Sequence, residues 1–159
     1  MTLPEDIYSQ RILELAAALP RTQRLAAPEA TARAHSKLCG STVTVDLVMD
    51  GEVVTDYGQS VKACLLGQSS ASVMGREVVG STAGELREVG AAMRKMLKES
   101  GPPPEGKWRD LAVLEPVRDY KARHASTLLV FDAVEDAIRQ IEAKRATAAG
   151  PGARSEEHV

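Results

Sequence analysis

Over the first twenty residues, apolar side chains recur at helical spacing: Ile7, Tyr8, Ile12, Leu15 and Leu19. Pro4 sits ahead of them, followed by Glu5 and Asp6. Proline in the first turn and acids against the dipole predict a helix start there. Pro20 ends the run, because proline lacks the N–H and crowds the preceding turn. Residues 21–38 are polar, with scattered Ala and Pro and no clear period. They are predicted to form a long loop, which in a compact domain goes with function or poor order.

The period then changes to two. Val43, Val45, Leu47 and Met49 alternate with Thr42, Thr44, Asp46 and Val48, which predicts a strand with one buried face. Asp50-Gly51 is a favoured hairpin turn, and residues 52–63 return as the partner strand, with Gly58 marking a bulge or register break. Asp46, Glu52 and Asp56 fall at alternating or turn positions and are expected to be solvated. Residues 65–79 are predicted to be helical and are rich in small side chains: Gly67, Ser69, Ser70, Ala71 and Ser72. Ser81, with Glu85 behind it, suggests the next helix start. Leu86, Val89, Met93, Met96 and Leu97 form one stripe over Glu85–Lys98 and are expected to pack in the core. Residues 107–123 read as a connector with its own apolar set of Trp108, Leu111, Val113, Leu114 and Val117. Thr127–Ala143 is the last predicted helix. Strands cluster early and helices late, so the expected class is α+β, with helices on one face of a small antiparallel sheet.

The 159-residue chain is long enough for one domain with a real core. Residues 1–144 are expected to form that domain. Residues 145–159, rich in Ala, Gly and charge, are expected to be a disordered tail. Aromatics make up 3% of the chain, so the core must be aliphatic. A net charge near −2 gives no global pull towards nucleic acid or an anionic membrane, and no apolar run is long enough to span one. Acids stand near the N-terminus where a secretion signal would carry Lys or Arg. Two cysteines do not make a disulfide framework, so a cytoplasmic protein with reduced thiols is expected.

Those thiols carry the candidate chemistry. Cys39 lies in a Cys-Gly turn before a strand, and Gly40 leaves room beside it for a bulky ligand. Cys64 lies between a strand and a helix start, where backbone N–H groups favour a thiolate. Against this, a free cysteine is often simply a small buried hydrophobe, and the spacing is not that of a CxxC pair. No Ser-His-Asp set, phosphate loop or paired-acid arrangement is found, so an enzyme is not expected.

Three segments resemble the U-type iron–sulfur cluster scaffold family (the N-terminal domain of NifU, IscU, SufU). "CGSTVTVDLVMDGEVVTDY" is similar to the family's Cys-Gly-Asp and hairpin. "VKACLLGQSSASVMGREVVG" is similar to its second cysteine and helix of small residues. "KARHASTLLVFDAVEDAI" is similar to the segment that opens the last helix with a third cysteine. The resemblance covers residues 5–143. A connector longer than that of IscU proteins, and the absence of a Leu-Pro-Pro-Val-Lys motif, make the chain look SufU-like.

The resemblance places Ser41 where the family has aspartate and Ser126 where it has the third cysteine. Arg123 matches, and Ala125 replaces a histidine, with His124 one position earlier. It therefore implies a degenerate site holding two of the usual ligands, Cys39 and Cys64, with Ser41, Arg123, His124, Ser126 and His35 as auxiliary candidates. Bland alternatives stand beside each. Ser126 reads as a helix N-cap, Arg123 as an exposed arginine, His124 as a solvated or hydrogen-bonded ring, and His35 as a loop residue.

The implied function is cluster assembly: a [2Fe–2S] cluster, iron or sulfur held by Cys39 and Cys64 with help from a second subunit or partner. Zinc binding by such a site would be weak. The expected partner is a cysteine desulfurase, another assembly protein or a larger complex, and the chain itself could form a homodimer. The alternative is a metal-free interaction or regulatory subunit on the same fold. A disulfide-forming pair is the third reading, which needs Cα atoms within about 7 Å.

Overall fold

The computed structural model describes residues 9–158, with side chains placed through residue 148. The helix start expected at Pro4, with Ile7 and Tyr8, lies outside the described residues. Within them, helix α1 is Gln10–Ala17, and the Ser9 hydroxyl caps it by accepting from the Ile12 amide. Ile12 and Leu15 are buried, as their spacing predicts.

The sheet has three antiparallel strands in the order β1-β2-β3. Strand β2 (Thr42–Asp50) and strand β3 (Val53–Lys62) form the expected hairpin. Its turn sits one residue on from the expected place: Asp50 pairs with Val53, leaving Gly51 and Glu52 as the turn. The bulge is not at Gly58. Val48 faces Asp56 and Met49 faces Val54, so Thr55 is the extra residue. Gly58 stays in register opposite Asp46 and is required for a different reason: a Cβ there would come within 2.3 Å of the Gln23 carbonyl oxygen.

The long loop expected over 21–38 is a loop only in part. Residues Ala30–His35 form strand β1, paired with β2 from Ala30↔Leu47 to His35↔Thr42. Ala30 and Ala32 face the core, while Thr31, Arg33 and His35 face outward. Asp46 is not solvated either. It is fully buried under the 21–25 segment, where Arg24 donates to both its oxygens at 2.6 and 3.0 Å, with the Leu25 amide and the Thr31 hydroxyl adding further bonds. Glu52 and Asp56 are exposed, as expected.

Helix α2 (Leu65–Glu77) follows β3, and helix α3 is Ala83–Lys98. Thr82, not Ser81, caps α3 by accepting from the Glu85 amide; the buried Ser81 hydroxyl instead donates to the Glu77 carbonyl. The connector is a 3-10 segment over Gly106–Asp119, followed by a short one at Lys121–Arg123. Its buried residues, Trp108, Leu111, Leu114 and Val117, recur every third position. A 3-10 helix eclipses i and i+3, so this spacing puts all of them on one face. The last helix, α4 (His124–His158), starts earlier and runs further than the predicted Thr127–Ala143.

Helix α4 packs across the inner faces of β1 and β2, with α2 and α3 beside it and α1 against α2. The core is aliphatic, with Met93 and Met96 fully buried in it. This is the α+β arrangement expected, with helices on one face of an antiparallel sheet. Among the described residues, no helix is long and apolar enough to cross a membrane.

Candidate functional site

Antiparallel pairing brings the two thiol segments to the same end of the sheet. Thr42 at the start of β2 faces Lys62 at the end of β3. Cys39 lies in the loop joining β1 to β2, three residues before Thr42, and Cys64 follows Lys62 by two. The loop is closed by the Ser36 amide donating to the Ser41 carbonyl at 2.9 Å and the Gly40 amide donating to the Ser36 carbonyl at 2.8 Å. Gly40 makes that closure possible by adopting φ +74°, a left-handed conformation that side chains disfavour. Cys39 is exposed at the loop's surface.

Cys64 occupies the N-cap position of α2, but its side chain caps nothing and is half-buried. Its sulfur instead lies 3.4 Å from Ser126 Oγ. Gly67 permits this meeting of helices: a Cβ there would reach 3.0 Å from the Ser126 carbonyl oxygen. Ser126 is not the N-cap of α4, because the helix already begins at His124. It is buried in the first turn, where its hydroxyl donates to the Arg123 carbonyl at 3.2 Å.

Cys39 Sγ lies 3.0 Å from Ser41 Oγ and 3.5 Å from Ser36 Oγ. What desolvation it suffers pushes its pKa up. Hydrogen bonds from the Ser36 and Ser41 hydroxyls, the Ser41 amide and the Ser126 hydroxyl outweigh that and lower it to about 7. Serine hydroxyls thus face both sulfurs at this end of the sheet, Ser126 against Cys64 and Ser36 and Ser41 against Cys39. A thiolate is the form that attacks sulfur or binds metal, so a substantial share of Cys39 is poised at neutral pH.

The other candidates divide. Ser41 and Ser126 stand against the sulfurs. His124 is buried, and its Nε2 lies 3.0 Å from the Val117 carbonyl and 3.1 Å from that of Arg118. Carbonyls only accept, so this nitrogen carries the proton, and the ring is fastened to the connector rather than to either sulfur. His35 is exposed on the outer sheet face, its Nδ1 3.0 Å from Thr42 Oγ1. Arg123 is half-buried and forms no ion pair among the described residues. Ser36 was missed by sequence reasoning. Its signal was its place three residues before Cys39, where a tight loop folds back on itself. Among the described residues, no three His, Cys, Asp or Glu side chains are grouped so as to hold a metal ion.

No family model matches the chain. It is similar to the crystal structure of the N-terminal part of a nitrogen-fixing NifU-like protein from Brucella abortus, at 63% identity and a TM-score of 0.87, over 88% of this chain and 97% of that one. The chain belongs to the IscU/NifU-like scaffold family. Two further proteins are similar at lower identity. An iron–sulfur cluster assembly scaffold protein IscU from Thermotoga maritima is 24% identical over 135 residues, covering 85% of this chain and 94% of that protein. A protein assigned to the SUF system from Fervidobacterium islandicum AW-1 shares the fold, with a TM-score of 0.77 at 21% identity over 85% of this chain and 98% of that one. Within this family fold, three hydroxyls stand against the sulfurs, those of Ser36, Ser41 and Ser126.

Proposed function

We propose that this chain is an iron–sulfur cluster assembly scaffold whose cargo is carried by Cys39 and Cys64. The observation that carries the reading is the placement of both thiol segments at one end of the sheet, with Cys39 against the Ser41 hydroxyl and Cys64 against that of Ser126. The cargo is iron, sulfur or a [2Fe–2S] cluster. Such a cluster takes four thiolates or substitutes, and this chain offers two. The remaining donors come from a second copy or from a partner, of which a cysteine desulfurase is the kind that supplies sulfur. The exposed Cys39 is the acceptor in that exchange, and the half-buried Cys64 closes the site behind it. The chain itself catalyses nothing in this reading.

The test is anaerobic reconstitution with iron and a sulfur source, followed by size separation and assay of iron and acid-labile sulfide. Cluster is expected only in species larger than the monomer, and Cys39→Ala or Cys64→Ala should abolish it. Equal iron and sulfide in the variants would overturn the assignment. No iron or sulfide in any species, with a desulfurase present, would favour a metal-free interaction subunit.

A further inference from the structure

The helices cover only the inner face of the sheet. On the outer face, register aligns Arg33, Thr44 and Ser60 in one row and His35, Thr42 and Lys62 in the next. Apart from His35, these residues line, with Arg24 and Thr31, a groove of about 470 Å³ whose Thr42 and Lys62 end lies at the end of the sheet that carries the thiol loops. Arg33 and Lys62 are exposed, and neither has an ion-pair partner among the described residues. Among the described residues, no acidic one lines the groove, and Asp46, whose neighbours Arg24 and Thr31 do line it, is already engaged by Arg24, Thr31 and the Leu25 amide. The groove therefore presents cations and half-buried hydroxyls with no free acid opposing them.

We propose that this face docks an extended acidic segment of a partner protein and leads it to the thiol site. Arg33 and Lys62 stand two strands and one row apart, roughly 10 Å or a little more from strand spacing. An extended segment spans that distance with carboxylates a few residues apart, and Thr44 and Ser60 can donate to its oxygens between them. Charge complementarity of this kind steers encounter and fixes register. Two unpaired cations on a chain of net charge near −2 are too few for a nucleic-acid track, which needs a basic stripe. The row His35–Thr42–Lys62 is the last before the loop that carries Cys39, and Leu38, 73% exposed, stands next to that cysteine. A segment held in the groove thus arrives at the reactive sulfur. That last step rests on the scaffold reading; the docking itself does not.

The test uses a fluorescein-labelled oligoglutamate peptide and the full chain, read by anisotropy at low salt. Saturable binding is expected. The pair R33E/K62E should weaken it about tenfold or more, and R33Q/K62Q by a smaller factor, since like charge repels where neutrality only fails to attract. K98E on α3 should leave it unchanged. Cys39→Ser with Cys64→Ser should also leave it unchanged, which separates failure here from failure of the scaffold reading. The proposal is overturned by no saturable binding to the natural chain, by equal weakening in K98E, by unchanged affinity in both double variants, or by tighter binding of an oligothymidylate. If R33E/K62E does not fold, R33Q/K62Q carries the comparison.

Discussion

Cys64 Sγ stands 3.4 Å from Ser126 Oγ, a thiol at the cap of α2 meeting a hydroxyl in the first turn of α4. A neutral hydroxyl is a weak donor to zinc beside a thiolate or carboxylate. The backbone already brings residue 126 to Cys64, and Ser41 Oγ is 3.0 Å from Cys39 Sγ. Ser41→Asp with Ser126→Cys should therefore create a four-donor site without moving the chain. Structural zinc sites bind with about 10–16 kcal/mol of apparent free energy. Two anionic donors account for several kcal/mol of that, and about 1.4 kcal/mol is a factor of ten. Zinc affinity, measured against a chelator, should rise by several orders of magnitude over the weak binding of the natural monomer. Adding Cys64→Ser to the double substitution should reverse most of the gain. No gain in the double variant would mean that residue 126 does not reach the metal.

Alkylation of Cys39 should report its hydroxyl cage. Its pKa is lowered from 9.0 to about 7, so the rate with iodoacetamide should rise with pH and reach half its plateau near pH 7. Ser41→Ala removes a hydrogen bond to the thiolate and should shift that midpoint upward, and Ser126→Ala should shift it in the same direction. Mass mapping of the modified residue, in a Cys64→Ser background, identifies the reacting sulfur. A midpoint unmoved by either substitution would show that the hydroxyls do not stabilise the thiolate.

Asp46 is a stability element. Burial alone would raise its pKa, but Arg24, Thr31 and the Leu25 amide outweigh burial and hold it below the usual carboxylate range. Asp46→Asn keeps the shape but leaves Arg24 without its counter-charge, at a cost of about 1–3 kcal/mol. Because the folded pKa is depressed, the contribution is complete above the unfolded pKa of about 3.9 and is lost as pH falls through the folded value. Denaturant midpoints of the two proteins should differ clearly at pH 7, begin to approach each other near about pH 4, and converge only as pH falls through the depressed folded value. A difference that persists unchanged in acid would argue against an ionic origin.

The hairpin and helix α3 were legible because each follows a clean period: two in Val43, Val45, Leu47 and Met49, and near 3.6 in Leu86, Val89, Met93 and Met96. Strand β1 was not, although Ala30, Ala32 and Ala34 do alternate with Thr31, Arg33 and His35. Alanine is a weak strand signal, and its place here is set by α4 packing over β1, which only the tertiary structure reveals. The threefold spacing of Trp108, Leu111, Leu114 and Val117 was present in the connector but matches neither common period. At the site, the positions of Ser41 and Ser126 could be read from family resemblance. That Ser126 meets the Cys64 sulfur, and that His124 is held by the connector, depends on where α4 begins, and helix boundaries are poorly marked in a sequence.

The end of α4 divides into a part that is clamped and a part proposed to be dispensable. The clamp is made by Lys144 and Arg145. Arg145 donates to the Gly51 carbonyl at 2.5 Å and the Met49 carbonyl at 2.9 Å, and its guanidinium meets Glu29 at 3.2 Å. Lys144 donates to the Glu29 carbonyl at 2.5 Å. These bonds tie the helix to the β2–β3 turn and to the entry of β1. Their loss is expected to cost about 1 kcal/mol or a little more, since the groups are partly exposed and the ion pair is screened. In a chain of this size, that is a fall of about 2–4 °C in melting temperature. Beyond residue 148 the sequence offers few large apolar side chains to offset the entropy of ordering. Deleting residues 149–159 should therefore leave the melting temperature unchanged within error, while Arg145→Ala in the full chain should lower it by the stated amount. A clear fall on deletion would show that the last residues dock. No change in Arg145→Ala would show that the Arg145 contacts add nothing measurable to stability.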